Sequence, residues 1–141
     1  MTNTHELDTM FFPKSLAIVG ASPNPAGWGG TSFLIRLKAL GFPGKLYPVN
    51  PKASEILGLK SYPSVSAIPE PVDLVVVAIS APRVPQVLED CIASGVKNVH
   101  IFASGFSETG EDEGRELERQ VIEIIERGNL NVVGPNCMGL Y

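Results

Sequence analysis

Cysteine and histidine are scarce in this 141-residue chain, with two of each. Cys91 and Cys137 have neither the density of a disulfide framework nor the spacing of a metal site, so a reducing, cytoplasmic setting without a metal is expected. Positive charge is also in deficit. Eleven Lys and Arg face fifteen Asp and Glu, a net charge of −4, which excludes a broad basic surface and counts against nucleic acid or an anionic membrane as the main partner. Long apolar runs are missing. The longest covers residues 74–79, far short of the roughly 18 residues of a membrane span. Residues 2–9 are polar with acids among them, unlike a signal peptide. What remains is a globular composition, 44% hydrophobic and 18% charged, at a length that suits one domain.

Residues 1–10 read as a loose leader, and the folded domain is expected over 11–141. Residues 16–19 are a short apolar run closed by Gly20, the pattern of a strand buried on both faces. A Gly- and Pro-rich stretch follows to Gly30. Phe33, Leu34, Leu37 and Leu40 then fall at helical spacing, with Thr31 or Ser32 available as a cap and Gly41 as the stop. Residues 45–49 form a second strand. Residues 52–71 are broken by Gly58, Pro63, Pro69 and Pro71 and predict only short pieces of structure. Residues 73–79 are the clearest strand and belong at the sheet centre. Val84, Val87, Leu88, Cys91 and Ile92 predict a helix ended by Gly95, and residues 98–102 another strand. Leu117, Val121, Ile124 and Ile125 mark a last helix with its stop at Gly128, and residues 131–133 a closing strand.

Strands and helices alternate without a tight hairpin signal, which predicts an α/β fold, a single doubly wound parallel sheet with helices on both faces. Ligands of such sheets sit beyond the carboxyl ends of the strands, where strand order reverses. Those ends are residues 20–30, 50–52, 80–83, 104–107 and 134–139, and they gather much of the Gly, Ser, Asn and Pro of the chain. The first loop opens onto a helix, an arrangement suited to phosphate. Its second glycine, however, follows the first by seven residues, so G-x-G-x-x-G is absent, as is the P-loop pattern. The second strand also lacks the terminal Asp or Glu that accepts the ribose hydroxyls of NAD; it ends Val49-Asn50-Pro51-Lys52. A lysine there suits a phosphorylated ribose and leaves two candidates, NADP and coenzyme A. An ordinary solvated lysine is the plain alternative.

Six segments carry a family resemblance. Residues 16–22 (LAIVGAS), 44–52 (GKLYPVNPK), 58–64 (GLKSYPS), 68–74 (IPEPVDL), 104–108 (SGFSE) and 134–139 (GPNCMG) resemble the amino-terminal domain of ADP-forming acyl-CoA synthetases. That domain is related to the CoA-binding domain of the succinyl-CoA synthetase alpha subunit. The resemblance covers residues 12–141 and implies a Rossmann-like domain that binds CoA or acyl-CoA. It implies that Gly20, Ala21, Ser22 and Pro23 face the diphosphate, with Asn50 and Lys52 near the adenosine end. Ser80, Ala81 and Pro82 match the loop along the pantetheine arm, and Ser104, Gly105 and Phe106 a second wall of that channel. Asn136 and Cys137 belong to the family signature at the last strand, and Trp28 either shields the ligand or lies on the surface.

No residue is expected to be catalytic. In the family a phosphoryl group passes through a histidine of a later domain, with an ATP-grasp domain or subunit supplying the nucleotide. Here His5 lies in the leader and His100 in an apolar strand. Glu108, Glu111, Asp112 and Glu113 precede the last helix, where they complement its dipole. Cys91 reads as core, and Cys137 has no basic partner in sequence. Three function classes stay open: the CoA-binding part of an acyl-CoA synthetase, inactive alone; a stand-alone CoA-binding regulatory protein or one fused to an acetyltransferase; and an NAD(P)-dependent oxidoreductase fragment.

Overall fold

A computed structural model describes residues 7–24, 29–103, 105–106 and 109–134. Five parallel strands form the central sheet: β1 (Ser15–Val19), β2 (Lys45–Val49), β5 (Leu74–Val77), β6 (Asn98–Ile101) and β7 (Asn131–Val133), in the order β2-β1-β5-β6-β7. Every residue of β1, β5 and β6 is buried, as an apolar run covered on both faces requires. Alternate residues serve opposite layers. Ala17, Val19, Val75, Val77, Val99 and Ile101 pack on one side with helices α3 (Val84–Ala93) and α4 (Asp112–Gly128). Leu16, Ile18, Leu74 and Val76 pack on the other with α2 (Gly30–Ala39) and the short α1 (Asp8–Phe11). The sheet is therefore doubly wound.

Helical crossovers join β1 to β2, β5 to β6 and β6 to β7. The β2-to-β5 connection differs. It holds a two-stranded antiparallel hairpin, β3 (Glu55–Ile56) and β4 (Leu59–Lys60), and a 3-10 turn at Val65–Ala67. The hairpin corrects the expectation that no tight one exists. Its turn is Leu57-Gly58, with φ of 51° and 80°. Two left-handed positions in a row are the signature of a type I′ turn, but Leu is a residue that rarely takes one. Outside β2, Tyr62 donates its N–H to the Pro48 carbonyl at 3.0 Å and accepts from the Asn50 N–H at 2.9 Å. Pro48 itself has no N–H to offer, which suits an edge strand.

The helix ends shift by a few residues from those expected. Gly29, not Thr31 or Ser32, caps α2, without a side-chain hydrogen bond. Leu40, expected on the apolar face, follows the last turn and is 84% exposed. Gly128 does not stop α4; it is the last helical residue, and left-handed Asn129 ends the helix. A Cβ at Gly128 would lie 2.4 Å from Ile92 Cδ1, so the glycine serves the packing of α4 on α3.

The amino-terminal ends of the strands are knitted by polar side chains. Ser15 Oγ accepts the Asp73 N–H at 2.9 Å and donates to the Pro71 carbonyl at 3.2 Å. Asn98 Nδ2 donates to the Asp73 carbonyl at 2.9 Å and to Thr9 Oγ1 at 2.7 Å, and Asn98 Oδ1 accepts from Asn131 Nδ2 at 3.0 Å. Residues 7–10 thus belong to the packed unit rather than to a loose leader: Met10 is 3% exposed and Leu7 packs in the same apolar cluster.

Candidate functional site

Strand order reverses at β1, which lies between β2 and β5, and a cleft of about 390 Å³ opens there at the carboxyl ends. Its apolar floor is Val19, Val49, Val65, Ile79 and Val87. Gly20, Ala21 and Ser22 form one rim, and Asn50, Pro51 and Lys52 another. Gly20 has φ +102°, and a Cβ there would lie 2.0 Å from the Ala78 carbonyl oxygen. Only glycine lets the loop leave β1 so close to the end of β5. Gly30 has the same function on the helix side. A Cβ on it would lie 2.5 Å from the Ala21 nitrogen, so α2 starts directly against the loop.

Asn50 is brought to the site, but its side chain is already engaged. Its Nδ2 donates to the Ala21 carbonyl at 3.0 Å, while its Oδ1 accepts the N–H groups of Lys52 at 2.8 Å and Ala53 at 2.9 Å. Thr31, fully buried, accepts the Ser22 N–H at 2.9 Å. Its hydroxyl therefore holds the loop instead of capping α2. Lys52 is exposed on the rim, and among the described residues its ammonium forms no ion pair. Pro23 continues the loop as an exposed residue.

The third rim comes from Arg83, which caps α3, and from Gln86, Val87 and Asp90 within it. Ser66 Oγ donates to Asp90 Oδ1 at 3.2 Å. Sequence reasoning named Arg83 only as part of an edge and missed Gln86 and Asp90. The available signal was their three- and four-residue spacing directly after the central strand.

Ser80, Ala81 and Pro82 lie beside the cleft rather than in its lining. The Ser80 carbonyl accepts the Arg83 N–H at 3.0 Å, which starts a 3-10 turn, and Ala81 is 1% exposed. Gly105, at φ +112°, is adjacent, since a Cβ on it would lie 3.1 Å from Ala81 Cβ. The 80–82 and 105–106 segments are thus brought together. Phe106 corrects an expectation: its ring is wholly buried in the α3–α4 layer, where it fills core volume instead of lining a channel. Ser104 and Asn136 lie outside the described residues, as do His5, Trp28, Glu108 and Cys137. Two chemistry-bearing residues are core. Burial, then the nearby Asp90 charge, pushes the Cys91 thiol up to about 12, which removes its nucleophilic form at neutral pH. His100, 4% exposed, stacks edge-on to Phe33 at 5.7 Å.

Over residues 14–141 the chain matches the CoA binding domain family. It belongs to that family. An ADP-forming acetate–CoA ligase II of Archaeoglobus fulgidus is 45% identical over 135 residues, which cover 96% of this chain and 20% of that protein. The alpha subunit of an ADP-forming acetate–CoA ligase I of Pyrococcus furiosus is 44% identical, over 95% of this chain and 29% of the subunit. Among solved structures, dinucleotide-forming acetyl-coenzyme A synthetase 1 of Ca. Korarchaeum cryptofilum, in complex with phosphate and ADP, superposes at a TM-score of 0.89 with 40% identity. That match covers 96% of this chain and 29% of the synthetase. This CoA-binding domain therefore spans between a fifth and under a third of these relatives. The expected cofactor, coenzyme A, and the Rossmann-like fold hold. The doubly wound sheet of the CoA-binding domain explains why its rims come from three separate strand ends.

Proposed function

We propose that this domain holds CoA across the cleft, with the adenosine 3′-phosphate toward Lys52 and the diphosphate toward residues 20–23. The pantetheine arm then runs toward Ser80–Pro82 and the adjacent Gly105. The observation that carries this reading is the end of β2, where Lys52 stands free at the rim and no carboxylate is present to accept ribose hydroxyls. The Ser22 N–H is donated to Thr31 Oγ1 and the Ser22 hydroxyl lies 3.3 Å from the same oxygen, so the loop offers phosphate the amino end of α2.

In this reading the domain supplies bound CoA to an ADP-forming acyl-CoA ligase of the cytoplasm. Phosphoryl transfer then belongs to further domains or an ATP-grasp subunit. The chain alone should bind CoA and turn over nothing. Calorimetric titration of CoA, NAD(H) and NADP(H) at one ionic strength tests the ligand, and CoA should bind much the most tightly. Comparable NADP affinity would overturn it. Synthesis of acetyl-CoA from acetate, CoA and ATP by the purified chain would overturn the division of labour.

A further inference from the structure

One peptide of the ligand loop is held from both sides. The carbonyl between Ala21 and Ser22 accepts Asn50 Nδ2 at 3.0 Å, and the N–H of the same peptide donates to Thr31 Oγ1 at 2.9 Å. The two clamps come from different elements, one from the end of β2 and one from the first turn of α2. Thr31 has no capacity to spare for a ligand in this arrangement, and Asn50 has only its second Nδ2 hydrogen. Thr31 is 0% exposed and its hydroxyl donates back to the Ser22 carbonyl at 3.2 Å. Asn50 Oδ1 is filled by the Lys52 and Ala53 N–H groups.

We infer that Thr31 and Asn50 are positioning residues for CoA, which fix the plane of the Ala21–Ser22 peptide. The inference rests on the placement of CoA in the cleft given above. A loop peptide left to rotate would present its carbonyl to the diphosphate in part of its conformations, and oxygen dipoles repel a phosphate. Pinning the carbonyl to Asn50 removes those conformations before binding, so the ordering cost is already met in the empty protein. Asn50 does a second task, since the turn it closes sets where Lys52 leaves the strand. Asp at this position would keep that turn, because a carboxylate accepts the same two N–H groups, but it has no donor for the Ala21 carbonyl. The peptide would be released, since the second carboxylate oxygen would face the Ala21 carbonyl with no hydrogen between them.

The test combines Thr31→Val, Thr31→Ser, Asn50→Asp, the Thr31→Val/Asn50→Asp double variant, and Ser15→Ala as a control at the far end of the sheet. CoA affinity is read by calorimetry, folding stability by urea titration, and the Ser22 amide by hydrogen exchange in the ligand-free protein. Thr31→Val and Asn50→Asp should each weaken CoA by roughly tenfold and speed Ser22 exchange. The double variant should fall well short of their product, since both restrain one peptide. Thr31→Ser should restore binding, and Ser15→Ala should lose stability with CoA affinity intact. Faster Ser22 exchange with unchanged CoA affinity would overturn the inference, as would fully multiplicative losses or equal CoA loss in Ser15→Ala. Failure of the cleft reading itself shows earlier, as a wild-type chain that binds CoA no better than NADP.

Discussion

The two ends of the sheet are built for opposite purposes. At the amino-terminal ends, Ser15, Asp73, Asn98, Asn131 and Thr9 satisfy one another or nearby backbone, and each bond ties two elements. Charge there is matched as well: Glu70 accepts from both Lys45 and the Tyr47 hydroxyl. At the carboxyl ends, Asn50 and Thr31 are spent on the loop backbone. Glycines let β1, β5 and α2 pass within contact, and Lys52 and Arg83 form no ion pair among the described residues. One end has its polar groups committed to stability, and the other keeps charge available for a ligand.

The largest expected effect tests that division at the tightest crossing. Gly20→Ala combines a left-handed φ with a Cβ 2.0 Å from a backbone oxygen, and should cost more than about 3 kcal/mol of stability in urea titration. Gly41→Ala, also left-handed at φ +72° but with nothing within 4 Å, should cost only about 1 kcal/mol. Equal costs would show that backbone conformation alone sets the need for glycine.

Next in size is Ser15→Ala, which removes the partner of the part-buried Asp73 N–H and should cost about 1 kcal/mol. Its CoA affinity should be that of wild type, and a loss would mean that the two ends are coupled. Lys52→Ala is the complementary change. It should leave stability alone and weaken CoA by roughly five- to tenfold, on the order of 1 kcal/mol for an exposed pair. Dephospho-CoA, which lacks the 3′-phosphate, should be unaffected, and the loss should shrink as salt rises. Equal losses for both ligands would remove Lys52 from the 3′-phosphate.

The smallest effect concerns pH at the amino end. Burial, the hydrogen bond to Glu70 and the Glu70 charge push the Tyr47 hydroxyl up to about 12, while hydrogen bonds from Lys45 and Tyr47 lower Glu70. A raised phenol binds its proton more tightly when folded. Its contribution is therefore complete below pH 10 and is lost as pH climbs toward 12. The lowered carboxyl acts in the opposite range, with a contribution lost as pH falls below its ordinary 4.5. Tyr47→Phe should flatten the alkaline limb of the stability curve and shrink the acid limb to the part that Lys45 supports. CoA affinity should follow neither limb.

The strands were legible because a parallel sheet buried on both faces leaves apolar runs that little else produces; β2 and β7 were expected at their observed residues. The ligand edge was legible for the same reason, since topology alone places loops at carboxyl ends. What stayed hidden depends on side-chain partners far apart in sequence. Asn50 and Thr31 are the right residues in the right place, but nothing local shows that one peptide occupies both. Phe106 stands in a loop sequence yet fills the core, because α4 packs so closely that a Cβ at Gly114 would lie 2.2 Å from the Phe106 carbonyl. The Leu57-Gly58 turn was hidden by its own leucine. Met10 and Thr9 escaped notice because a polar segment docked through one side chain and one hydroxyl has no periodicity to read.

The residue after Asn50 has a bearing on how the protein ages. Asparagine side chains decay when the following backbone nitrogen attacks the amide carbon and closes a succinimide, which then opens to aspartate or isoaspartate. Pro51 supplies a ring nitrogen without a hydrogen, so that closure is blocked at this position. The one donor that holds the Ala21 carbonyl is thereby spared the slow chemistry that would turn it into an acceptor, and the loop keeps its shape as the molecule grows old.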